Sequence, residues 1–97
     1  MIQALLVLLS WADLANPPGA TYHVYRAAGA CSDFVQFQRI TASPLTAKNY
    51  TDSPGVGSYC YQVTATVQGV ESEPSAPLTV TTRPAAPTAL KAAPSPG

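Results

Sequence analysis

Residues 59–67 read YCYQVTATV, and the strict alternation in this stretch decides the fold class. Successive side chains of a β-strand point to opposite faces, so every second residue shares a face. One set is polar or small, and the other set is apolar: Tyr59, Tyr61, Val63, Ala65 and Val67. The pattern is typical of a half-buried strand with large aromatic and branched side chains facing a core.

Other short segments of strand character lie on both sides of this stretch. They are separated by Pro- and Gly-containing turns and by a polar loop over residues 71–77. No segment has a helical period. We predict further strands within residues 3–12 and over residues 21–26, 34–40, 49–52 and 78–82. Short strands at this regular spacing predict an all-β protein, an antiparallel β-sandwich.

The size and charge of the chain limit its architecture and its partners. Its 97 residues form one domain with a single modest core, because a chain of this length buries about 64% of its unfolded surface. Charged residues make up 10% of the sequence, and the net charge is zero. Without a basic footprint, nucleic acid is not an expected partner.

The first apolar run covers residues 2–9, with Gln3 as its one polar member. A bilayer span needs about 20 apolar residues, so the run predicts no membrane insertion. A secretory signal begins with basic residues, and the first Lys or Arg in the chain is Arg26. We therefore assign the run to the fold, with a weak signal segment as the alternative.

Cys31 and Cys60 are the only cysteines, and His23 is the only histidine. A structural zinc site needs four ligands, and no Cys-x-x-Cys pair is present. No metal or cofactor is expected. The residues alone leave two readings of the cysteines open: one disulfide, or two small buried thiols.

The sequence does not predict an enzyme. His23 is the single candidate base, and it falls mid-strand on the expected outer face, where we expect it to be solvated. Asp52 ends a strand, and Glu71 and Glu73 lie in a polar loop with no cleft between them. Residues 49–51 match the acceptor triplet for N-glycosylation, although such triplets arise often by chance.

The order and spacing of these pieces resemble a fibronectin type III domain over residues 5–82. The matching pieces are residues 9–11 (strand B), 22–26 (strand C), 50–52 (strand E), 57–65 (strand F) and 71–75 (the F–G loop). The resemblance implies that Trp11 packs in the core and that Tyr59 is a corner tyrosine. Together with the alternation it gives the expected core: Leu9, Trp11, Tyr22, Val24, Tyr50, Tyr59, Tyr61 and Val63.

The resemblance also places the two cysteines. Strands C and F are antiparallel neighbours in this family, Cys31 follows strand C, and Cys60 lies near the start of strand F on its outward side. The implied disulfide, Cys31 to Cys60, indicates an oxidising final location, extracellular or on a virion surface.

Strand B is apolar on both faces. If Val7, Leu9 and Trp11 point inward, then Leu6 and Leu8 point outward, with Ala4 beside them. A solvated sheet face normally carries polar residues, so we expect a partner to cover this face. Two tolerated surface leucines are the alternative.

The first strand of the family, strand A, has no counterpart before strand B. Residues 84–92 near the other end of the chain resemble it, and residues 93–97 resemble the turn that follows it. We therefore divide the chain into a sandwich, residues 1–83, and a Pro/Ala-rich tail, residues 84–97.

Three accounts of the tail are possible: a loose end of one unit of a tandem array, a strand folded back on its own sheet, or a strand donated to another copy. The link from Thr82 is too short to return to the vacant edge, which favours donation. We expect residues 87–93 to pair near residues 4–8 of another copy, with Leu90 as the anchor. The predicted interface is Ala4, Leu6, Leu8, Pro87, Ala89, Leu90 and Ala92.

These features predict a non-catalytic structural subunit of an ordered extracellular assembly, such as a phage capsid or tail surface. Its expected partners are proteins, copies of itself in the first place; the sequence carries no prediction about carbohydrate. The alternative is a spacer module in a secreted multidomain protein such as a carbohydrate-active enzyme, with the tail as a linker.

Overall fold

A computed structural model describes residues 5–94 of the chain. Its strands are β1 (Val7–Ser10), β2 (Thr21–Ala28), β3 (Gln38–Arg39), β4 (Asn49–Asp52), β5 (Gly57–Val67), β6 (Val70–Glu71) and β7 (Leu78–Thr82). Every strand pairing is antiparallel, and the described residues contain no helix. The predicted all-β class is confirmed.

The strands form two sheets. β1 and β4 make the smaller sheet, and the larger one has β2 and β5 at its centre, with β3 beside β2 and with β6 and β7 beside β5. Buried side chains from both sheets make the core between them: Val7, Leu9, Val24 and Tyr61. Partly buried residues pack against these four: Trp11, Ile40, Leu45, Tyr50, Tyr59, Val63 and Val80.

The alternation read from the sequence accounts for this core. Val24 of β2 lies opposite Val63 of β5, and both belong to the apolar sets of their strands. Of the expected core residues, Leu9, Tyr22, Val24 and Tyr61 are buried, and the other four are partly buried against them. The ring of Trp11 meets that of Tyr22 edge to face, with 5.6 Å between centroids. The hydroxyl of Tyr59 donates to the carbonyl of Pro54 at 2.8 Å and holds the β4–β5 corner.

The strand predicted over residues 34–40 is wrong in extent, because only Gln38–Arg39 forms β3. β3 pairs with Tyr25 and Arg26, and in this register the end of β2 at Ala28 comes opposite residue 36, so residues 34 and 35 have no strand to pair with. Instead the segment leaves the sheet, and Phe34 is 89% exposed.

The two ends of the described chain differ from the rest of it. β1 begins at Val7, and residues 83–94 carry no secondary structure and are exposed throughout. The principal extents of 74 × 29 × 23 Å are those of a sandwich with a projecting end. Expectations for Ala4 and for residues 95–97 lie outside the described residues.

Candidate interaction surfaces

β1 has one occupied edge and one vacant edge. It pairs with β4, from Val7 opposite Asp52 to Ser10 opposite Asn49, and no other described strand pairs with it. Its outward side chains are open as well, since Leu6 is 54% and Leu8 is 77% exposed. A vacant strand edge beside exposed leucines is a template for pairing with another chain.

A cleft of 160 Å³ enters the space between the two sheets beside β1. Its lining combines residues of β1 and its flank with residues of β5 and of the segment leading into β7: Leu9, Ser10, Trp11, Tyr61, Gln62, Val63, Ser75, Ala76 and Leu78. No residue of β4 lines it, so it opens on the side of β1 that lacks a strand. We call it the edge cleft.

Trp11, which lines the edge cleft, has an indole N–H without a partner in the described part of the chain. Its nitrogen is buried and makes no hydrogen bond within residues 5–94. Buried donors are nearly always paired, so an unpaired one marks a place where an acceptor is missing.

The tail, residues 84–97, begins just after β7, whose last residue is held in place by hydrogen bonds. The last residue of β7, Thr82, lies opposite Gly57; its hydroxyl donates to the carbonyl of Gly55 and accepts the N–H of Gly57 at 3.1 Å. Because β4 leads into β5 through a short loop, this is also the end of the sandwich where β1 begins, at Val7 opposite Asp52. An antiparallel partner of β1 would have to start at the other end, near Ser10.

Within the tail, residues 88–93 form a stretch free of proline between Pro87 and Pro94. Every residue of the stretch therefore keeps its backbone N–H for pairing. Leu90 is its one large apolar side chain and is 97% exposed. Ala89 has a φ of 58°, so the stretch is not a strand in the single chain.

Cys31 and Cys60 form a disulfide with 4.9 Å between their Cα atoms. Cys60 lies on the outward side of β5 and is fully buried beneath the loop that carries Cys31. The N–H of Cys31 donates to the hydroxyl of Thr79 at 3.0 Å, which ties the same loop to β7. A groove of 540 Å³ beside the bridge is lined by Cys31, Ser32, Asp33, Val35, Phe37, Cys60, Gln62 and Pro77.

Asp52 does more than end a strand. Its carboxylate is 10% exposed and accepts hydrogen bonds from Nη1 of Arg26, at 2.7 and 2.9 Å, and from the hydroxyl of Tyr61 at 2.6 Å. The hydrogen bond to Asp52 raises the pKa of Arg26, and burial raises the pKa of Tyr61 well above its ordinary value. The cluster joins the small sheet to the large one.

The expectation of a solvated His23 is wrong. The side chain does face outward from β2, but it is 8% exposed because the chain around Thr41 covers it. Its Nδ1 lies 2.7 Å from Oγ1 of Thr41, which also accepts the N–H of Val24 at 3.2 Å. His23 thus lies buried between the outer face of the sheet and the segment that contains Thr41.

Glu71 is exposed as expected, yet its carboxylate is occupied. One oxygen, Oε2, accepts from the hydroxyls of Tyr25 and Thr64, each at 2.6 Å. The hydrogen bond from Thr64 has the largest effect and that from Tyr25 the next largest, and both lower the pKa of Glu71 below its ordinary value of 4.5. The contacts fasten the β5–β6 hairpin to β2.

Within residues 5–94, no group of three or more His, Cys, Asp or Glu side chains could hold a metal ion. The same part of the chain forms no helix long and apolar enough to cross a membrane. No family model matches the sequence, and no curated protein matches it.

Proposed function

We propose that this protein is a non-catalytic structural subunit of an ordered extracellular assembly, in which copies join head to tail through residues 84–97. The observation that carries the proposal is the vacant edge of β1 beside the edge cleft, on a chain whose own tail is exposed and has no secondary structure. An edge of this kind is an aggregation hazard unless a strand covers it.

Membership of the fibronectin type III family is part of the proposal. The pairing of β1 with β4 and of β2 with β5 supports it, since these strands would correspond to strands B, E, C and F of that family. The Tyr59–Pro54 hydrogen bond is the contact that a corner tyrosine makes with the backbone a few residues upstream. In this reading the vacant place beside β1 is that of strand A.

A head-to-tail contact uses two different surfaces of the subunit, the tail and the β1 edge. Such heterologous contacts close into rings or extend into fibres and lattices. The disulfide is compatible with an oxidising environment, as on the surface of a virion or a secreted assembly. Zero net charge and few charged residues suit close packing of like subunits.

One observation favours a second candidate function, a spacer in a secreted multidomain protein. Residues 83–94 have no secondary structure and contain Pro84, Pro87 and Pro94, as a semi-rigid linker would. In that case residues 84–92 would pair in the next unit of the same chain.

Mass measurement by light scattering after size-exclusion chromatography tests the proposal over a hundredfold range of concentration. The full chain should grow in mass with concentration, and a variant lacking residues 84–97 should not form the ordered species. A variant in which Gly and Ser replace those residues at equal length controls for chain length. A full chain that stays monomeric over the whole range contradicts the assembly and favours the spacer.

A further inference from the structure

We infer that the edge cleft is a socket for Leu90 of a second copy, with residues 88–93 of that copy paired antiparallel to β1. This inference rests on the proposed head-to-tail assembly and specifies its contact. The contact combines a vacant strand edge, an apolar recess behind it and a proline-bounded stretch with one large apolar side chain.

The cleft has the size and chemistry for one aliphatic side chain. An engineered apolar cavity of about 150 Å³ in another protein holds benzene, so 160 Å³ accommodates the four carbons of a leucine side chain. Leu9, Trp11, Tyr61 and Val63 supply apolar walls. Leu78, at the rim, is 57% exposed in the single chain and would be covered by the incoming strand.

The stretch 88–93 has the length of the vacant edge. Six residues in a strand extend about 20 Å, which matches residues 6–11, that is, β1 with one residue on each side. The flanking Pro87 and Pro94 limit the pairing to this stretch, because a proline has no N–H for the ladder.

Seating Leu90 beside Leu9 fixes the register. Counting antiparallel from that pair, Ala92 lies opposite Val7 and faces inward, and Lys91 lies opposite Leu8 and faces outward. The aliphatic stem of Lys91 can then cover part of Leu8 while its ammonium group stays in water. The sequence alone predicts pairing near residues 4–8, whereas this register pairs the incoming strand with residues 6–11.

The same register brings a hydroxyl to the unpaired indole. Thr88 comes opposite Trp11 on the inward side, and the buried Nε1 of Trp11 has no acceptor within residues 5–94. A threonine hydroxyl accepts hydrogen bonds, so the incoming strand brings an acceptor to this donor.

The strand must come from another copy because of where the tail leaves. Thr82 lies at the end of the sandwich where β1 begins, whereas residue 88 must start at the opposite end, beside Trp11. Six extended residues reach about 20 Å. The way back to the chain's own socket needs ~13 Å along β1, from Val7 to Trp11, and a further ~10 Å between sheets. It also needs two reversals of direction, and each reversal takes a turn of about four residues, which six residues cannot supply at that reach.

The first test compares Leu90→Ala with Leu14→Ala in the full chain by sedimentation at graded concentrations. Both leucines are almost fully exposed in the single chain, at 97% and 98%, so neither change should alter folding. Leu90→Ala should weaken association about 10- to 150-fold, the equivalent of losing one buried leucine, and Leu14→Ala should leave it unchanged. Ala76→Leu, which fills the cleft from within its own chain, should also weaken it.

The second test locates the register by mixing, under mild oxidation, variants that each carry one cysteine in addition to the Cys31–Cys60 disulfide. Leu8→Cys and Lys91→Cys lie directly opposite in the proposed register and should form a mixed disulfide. Leu8→Cys with Ala89→Cys is two residues out of register, too far for a bridge, and should not.

The outcomes distinguish the Leu90 socket from the head-to-tail assembly. If Leu90→Ala associates as well as the parent while loss of residues 84–97 abolishes association, the socket is wrong and the assembly stands. Preferential bridging of the out-of-register pair also overturns the socket alone. If the full chain does not associate at any concentration, the socket falls together with the assembly.

Discussion

The carboxylate of Asp52 in β4 accepts two hydrogen bonds from Nη1 of Arg26 in β2, the shorter at 2.7 Å. Asp52 is also the residue opposite Val7, at the start of β1. The ion pair therefore fixes the small sheet, and with it the vacant edge of β1, relative to the central strands of the large sheet. The position of the edge cleft depends on this relationship.

Asp52→Ala should destabilise the fold by about 3 kcal/mol, because it leaves the Arg26 guanidinium and the Tyr61 hydroxyl without their shared acceptor. Urea unfolding followed by Trp11 fluorescence measures the change. Asp33→Ala is the matched control, since Asp33 is exposed and its carboxylate accepts no hydrogen bond from residues 5–94. Equal stabilities of the two variants would show that the cross-sheet ion pair contributes nothing.

Loss of the disulfide should cost about 3–4 kcal/mol, since Cys31 and Cys60 are 29 residues apart and the bridge restricts the unfolded chain. Intact mass before and after alkylation should show no free thiol in the purified protein. Reductant should lower the urea midpoint of the parent and leave that of the variant Cys31→Ser with Cys60→Ser unchanged. Two alkylated cysteines in air-purified, unreduced protein would contradict the bridge.

Stability should fall on the acid side, partly through Glu71. Hydrogen bonds from Thr64 and Tyr25 keep the pKa of Glu71 in the folded chain below its ordinary value of 4.5. Its contribution is therefore complete above pH 4.5 and is lost as the pH falls through the lower, folded value. Glu71→Gln should flatten the decline in stability between about pH 5 and 3.

Glu73→Gln is the control for that experiment, because the carboxylate of Glu73 accepts no hydrogen bond within residues 5–94. Thermal unfolding at half-unit pH steps gives both profiles. If the two variants show the same acid-side slope as the parent, the contacts of Glu71 do not contribute to folding.

The strands that follow a two-residue period could be predicted from the sequence. The period shows that one face of the strand is buried, and it does so whichever element packs on that face. Tyr61 and Val24 are found inside for this reason. The segment over residues 34–40 shows the limit of the method. Both of its faces mix apolar and polar side chains, and how far it pairs depends in part on where β2 ends, which is information from a distant part of the chain.

Alternation does not indicate which outward side chains a distant loop will cover. His23 sits at a strand position that alternation assigns to solvent, and its cover comes from Thr41, 18 residues away. The edge cleft was equally invisible. Ala76 and Leu78 line it together with Leu9, and residues this far apart in the sequence come together only in the folded chain.

Ala89→Val should strengthen association about fivefold. In the single chain Ala89 has a φ of 58°, in the left-handed region, and must become extended to pair with β1. Valine avoids that region and favours strands on a scale that spans about 1 kcal/mol. At position 89 it would face outward beside Ser10, where there is room for it.

Ala86→Val is the matched control for this last change. Ala86 precedes Pro87, so it is already biased toward extended backbone and lies outside the paired stretch. Sedimentation of the two variants beside the parent should show tighter association for Ala89→Val alone. Equal strengthening by both changes would mean that added apolar surface, rather than a coil-to-strand transition at residue 89, drives the contact.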